Sequence, residues 1–213
     1  GGWGFDGRYA AALLDEGYRV DCSVTPGVDW GGNLGDPRGR GGTDYRGFPD
    51  RPYFLDPSDI SSPGAGRLLE VPMTIRSSRL YERAPWAYRF PLLRFAANRL
   101  SPGLRWLAPA ESGLDDMLAV ARNARKERAD HIEFMLHSSE LMPGGSPMFQ
   151  SAAQIDRLYE SLEIMFEEIA RWCRGMTLAE FRDHWVNTQE LAPALVGREP
   201  AGVAANEDSM VPG

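Results

Sequence analysis

Hydrophobic and polar positions change period along the chain, and each change marks an element. Phe5, Tyr9, Leu13 and Leu14 approximate one helical face, with Asp6 placed to cap it and Gly17 to stop it. The following "YRVDCSV" alternates, with Tyr18, Val20, Cys22 and Val24 on one side and Arg19, Asp21 and Ser23 on the other; this predicts a strand. From Pro26 to about Pro63 no period holds, and Gly, Pro and Asp dominate, which predicts a long loop. "RLLEVPMTI" alternates again, placing Leu69, Val71, Met73 and Ile75 on one face. Pro72 cannot donate to a ladder, so the pattern predicts an edge or irregular strand.

Ser112 and Asp115 are spaced as a capping box before a helix carrying Leu114, Leu118 and Ala121. Ile132–Leu136 is a short, mostly apolar run that reads as a buried strand, opened by His131 and ended by His137. Ser151 and Gln154 begin a second capping box, and Ile155, Leu158, Leu162, Phe166 and Ile169 stripe the longest helix, which Gly175 ends. Thr177 and Glu180 cap a short last helix with Leu178, Phe181 and Trp185. Residues 190–213 read as a disordered tail. Helices alternating with strands predict an α/β fold with parallel strands, in which chemistry sits at the carboxyl ends of strands.

At 213 residues, 43% hydrophobic and 25% charged, the chain has the composition of a globular domain. Its net charge of −7 argues against general nucleic-acid binding, which needs excess Lys and Arg. No apolar run reaches the ~20 residues that span a bilayer. Two cysteines, Cys22 and Cys173, cannot form a disulfide framework or a four-cysteine zinc site. The opening "GGWGFDG" reads like the inside of a loop, so the chain is expected to begin part-way through a domain.

His131 and His137 bound one strand and lie ~20 Å apart at ~3.3 Å per residue, too far to share a site. His184 reads as a surface residue. No HxxxH, HExxH or Cys/His cluster occurs, and no GxSxG supplies a serine nucleophile. From position, His137 reads either as a catalytic group at a strand end or as a hydrogen-bonded structural histidine. Asp29, before Trp30 in "TPGVDW", reads as a turn with an anchored aromatic.

Taken in order, "GGWGFDGRYAAALLDEGYRVDCSVTPGVDW", "RLLEVPMTI" and "FMLHSSELMPGGSP" resemble the later half of the polysaccharide deacetylase (NodB-homology) family, especially its WalW-like branch. The resemblance spans residues 1–185. It implies a partial distorted (β/α) barrel and a metal-dependent hydrolase that removes acetyl groups from a polysaccharide or oligosaccharide. It also implies a divalent metal such as zinc, whose Asp-His-His ligands and base Asp belong to motifs that this chain does not contain. His137 matches the family's general acid. Asp29 and Asp21 are alternative matches for the carboxylate that orients it, and Trp3 and Trp30 for aromatics of the substrate pocket.

Arg76–Leu107 carries seven arginines against one acid, Glu82, interleaved with Tyr81, Trp86, Tyr88, Phe90, Phe95 and Trp106. The expectation is a helical insertion, about residues 76–107, with its aromatics packed on the barrel and its arginines in water. The alternative is a non-catalytic glycan- or membrane-binding module on a deacetylase scaffold, with the cationic aromatic segment as its surface.

Overall fold

Asp6 opens the first helix, α1 (Gly7–Asp15), by accepting the Tyr9 amide on Oδ1 at 2.8 Å, a donor the helix leaves unbonded. Gly17 closes it at φ 87°, a backbone that a residue with a Cβ adopts at a cost. The structure is a computed structural model that describes residues 4–33, 41–56, 58–100 and 103–196. It divides into two units, Gly1–Gly175 and Met176–Gly213.

The first unit is mixed α/β. Strand β1 (Val20–Asp21) is followed by β2 (Tyr53–Asp56), β3 (Asp59–Pro63) and β4 (Leu69–Glu70), joined in the order β1-β4-β2-β3. β1 and β4 are parallel, with Val20 opposite Leu69 and Asp21 opposite Glu70. β2 is antiparallel to β4 and to β3. The long loop expected from Pro26 to Pro63 therefore contains two strands. Its Tyr53 and Leu55 are buried, and β4 offers them a ladder that no local pattern announces. The turn back to β4 needs Gly66, where a Cβ would overlap the Leu55 carbonyl.

Of the two readings Pro72 allowed, the stretch 68–75 is the irregular strand, broken over residues 71–74 and interior in place of an edge. On one side Val71 and Met73 donate to the carbonyls of Asp21 (2.8 Å) and Val24 (3.0 Å). On the other, Leu55 donates to Leu68 (3.1 Å) and Thr74 to Glu133 (3.4 Å), so the flank passes from β2 to the segment 131–137. Pro72 faces that second flank, where the His131 ring, at Nε2, donates to the Pro72 carbonyl at 2.7 Å. Residues 68–75 are buried on both faces, Glu70 included.

Residues 131–137 are extended but form no strand, against the expectation for Ile132–Leu136. Glu133 donates to the Thr74 hydroxyl (2.8 Å) and Met135 to the Leu107 carbonyl (3.1 Å), so successive amides meet different neighbours and no ladder builds.

Strand β5 (Ile75–Ser77) pairs antiparallel with β6 (Leu104–Trp106). Between them come α2 (Arg79–Arg83), a 3-10 turn at Pro85–Tyr88, and α3 (Pro91–Leu100). Three aromatics of this insertion, Trp86, Phe90 and Phe95, do not pack as expected, whereas Tyr81 is half-buried. Trp86 and Phe90 are each 58% exposed, Phe95 73% and Leu92 88%. Trp106 does pack, but it belongs to β6.

Helix α4 (Leu114–Lys126) packs on α5 (Ala152–Ala170) through Met117, Val120, Ala121, Leu158, Leu162, Met165 and Ile169. Gly113, not Ser112, caps α4; the Ser112 hydroxyl instead accepts the Trp106 amide at 2.9 Å. The Ser151–Gln154 capping box is present. Met165 fills the core position expected of Phe166, whose ring meets Phe134 edge-on at 5.2 Å. In the second unit, Thr177 and Glu180 cap each other ahead of α6 (Leu178–Val196). That helix runs past the point where a tail was expected to begin; residues 197–213 lie outside the described residues.

Candidate active site

His137 stands at the end of the extended segment and is exposed. Its carbonyl accepts the Glu140 amide at 2.9 Å, opening a 3-10 turn over Ser138–Leu141. In such a turn the third residue onward returns to the same side, so Glu140 comes back beside the imidazole. Glu140 is 2% exposed, and its Oε2 has no hydrogen-bond partner among the described residues. Burial raises its carboxyl above the usual range, and the charge of the neighbouring His137 opposes that rise. Gly145 supports the loop, since a Cβ there would overlap the Ser139 carbonyl. The Ser146 hydroxyl accepts the Met148 amide at 3.2 Å and holds the following turn.

Asp29 is exposed. Its Oδ1 accepts the Gly31 amide at 2.8 Å and its Oδ2 lies 3.1 Å from the Arg46 guanidinium. Asp21 accepts the amide and the hydroxyl of Ser23 at 3.0 and 3.2 Å. Both carboxylates thus have partners of their own, and neither bonds to the His137 ring among the described residues. Trp30 donates its indole N–H to the Thr25 hydroxyl at 2.8 Å and meets Trp106 edge-on at 6.3 Å. Trp3 lies outside the described residues. His131 is engaged with Pro72, and burial holds its ring below the usual histidine range, which favours the neutral form with the proton on Nε2. His184 is exposed on α6.

The acid at the centre of the sheet was not anticipated. Glu70 is 0% exposed, and its Oε1 accepts the Val24 amide at 2.9 Å. Burial first, then the adjacent Asp21 charge and a hydrogen bond to Asp21, raise its carboxyl well above the normal range. These forces favour the protonated form of Glu70. Partly buried Glu133 is pushed up to about 7 by burial. Cys22 is pushed up by burial and by the charges of Glu133, Glu70 and Asp21, so it is held as an inert thiol. An acid set inside an otherwise apolar run was the sequence signal for both glutamates.

The residues present do not fit the expected metal. Among the described residues, no group of three or more His, Cys, Asp or Glu side chains could hold a metal ion. The buried glutamates are raised above the usual carboxylate range chiefly by burial, and the His131 ring is engaged with the Pro72 carbonyl.

No family model, curated protein or solved structure matches this chain.

Proposed function

We propose that the chain forms the proton-donating side of a carbohydrate deacetylase-like hydrolase, with His137 as the general acid. The observation that carries this reading is the exposed His137 imidazole at the end of an extended segment, with the buried Glu140 carboxyl beside it. The three parallel neighbours 20–24, 68–75 and 131–135 support a partial distorted barrel, a fold that gathers its chemistry where such segments end. An exposed imidazole can reach a glycan, and histidine changes charge near neutral pH, as proton donation to a departing amine or alcohol requires. Glu140, Asp29 and Asp21 are the carboxylates from which its orienting partner is drawn, and Trp30 is the aromatic assigned to the sugar site. A divalent metal would need ligands other than the described residues.

The test is acetate release from an acetylated oligosaccharide by the intact protein. His137→Ala should lower turnover about 10²–10⁴-fold, the usual contribution of general acid catalysis. Turnover close to that of the unaltered protein would remove His137 from the reaction. Substituting Glu140→Gln, Asp29→Asn and Asp21→Asn one at a time should single out the orienting carboxylate by a displaced pH profile.

A further inference from the structure

The insertion between β5 and β6 presents an apolar face that nothing among the described residues covers. On α3, Leu92, Phe95 and Ala96 share one exposed stripe, while Ala97 on the opposite side is buried. Trp86 and Phe90, from the residues just before α3, are exposed as well. Single exposed apolar side chains need no explanation, but several on one short insertion mark a binding surface.

Charge identifies the occupant. Of the seven arginines in Arg76–Leu107, Arg76 is bonded to Glu127 and Arg105 to Asp116, each at 2.9 Å. The remaining five, Arg79, Arg83, Arg89, Arg94 and Arg99, accompany a single acid, Glu82, in a chain whose net charge is −7. Arg83 and Arg89 are exposed. A second copy of the chain would set this cationic face against itself across a two-fold axis, and like charges oppose that. A soluble glycan would use the rings but not Leu92, whose side chain is almost wholly exposed. We propose that the Arg79–Leu100 insertion docks in the plane of an anionic lipid surface, with Trp86, Phe90, Leu92 and Phe95 entering the acyl boundary and the arginines meeting the headgroups. No helix among the described residues is long and apolar enough to cross a membrane, so this is attachment to one face. The inference does not depend on the hydrolase reading.

The 213-residue chain is floated with vesicles of phosphatidylcholine and phosphatidylglycerol, and separately with phosphatidylcholine alone. It should float with the anionic vesicles, less with the neutral ones, and less again as salt screens the arginines. Leu92→Asp/Phe95→Asp and Arg83→Glu/Arg89→Glu, all at exposed positions, should each keep the far-ultraviolet circular dichroism and lose roughly tenfold or more of the partitioning. Absence of flotation with anionic vesicles overturns the proposal. Equal flotation of the Leu92→Asp/Phe95→Asp variant does so too, as does equal partitioning onto neutral lipid. A sedimenting dimer that this variant abolishes, without vesicle binding, would give the face to a second copy instead.

Discussion

Glu70 occupies a position where strand periodicity would place a solvated carboxylate, yet it is fully enclosed. Its folded carboxyl is raised well above 4.5, and Glu133 is raised from 4.5 to about 7. For both, the folded state holds its proton more tightly than the unfolded chain. Their contribution to stability is therefore complete below about 4.5 and is lost as pH climbs through the folded values, by up to ~1.4 kcal/mol per pH unit for each group. The lowered carboxyls Asp6, Asp44, Asp56 and Asp59 act in the opposite sense, but they are held by surface contacts and contribute little. Thermal melts should accordingly give a higher Tm at pH 5 than at pH 8. Glu70→Gln, which keeps an acceptor for Val24, should raise Tm at pH 8 and flatten that dependence; a lower Tm at pH 8 would show that Glu70 is stabilising as an anion. His137 was legible because a histidine at the end of an apolar run is unusual. Glu70 was not, since a two-residue period assigns it to water and β2, whose Tyr53 stands opposite it, lies in a stretch read as loop.

Among the elements, most of those specified by adjacent residues were legible and those specified by distant partners were not; the Ser112–Asp115 box failed because the Trp106 amide takes the Ser112 hydroxyl. Asp6, the Ser151–Gln154 box and the Thr177–Glu180 box all cap the helices they precede, because a cap is a local bond. The β2–β3 hairpin was hidden in a Pro- and Asp-rich stretch, and its pairing partner follows β3 by a further turn. The run Ile132–Leu136 carried the right hydrophobicity, but hydrogen-bonding partners from two places prevented a ladder. In α5 the stripe was read one residue off, at Phe166 in place of Met165, because both lie close to the same face. That difference has a measurable consequence. Met165→Ala should cost about 2–5 kcal/mol in denaturant unfolding, and Phe166→Ala less, since only the former empties a closed site. Ser151→Ala should cost about 1 kcal/mol through the lost cap.

For the molecule as a whole, the stretch 68–75 is the member to which both flanks attach, and its amides at Val71 and Met73 should be among the last to exchange with deuterium. The insertion that follows it is anchored differently. Ser77 pairs with Leu104, and the Ser78 amide donates to the Gly103 carbonyl at 2.9 Å, so the chain leaves and re-enters the domain at adjacent points. Everything from Arg79 to Pro102 is thereby a detachable excursion. Replacing it with a short Asn-Gly turn should close β5 directly onto β6, because a two-residue turn of that kind matches strand twist. The trimmed chain should melt as cooperatively as the original while losing vesicle flotation. Such an excursion can be acquired, lengthened or discarded in descent without disturbing the sheet from which it springs.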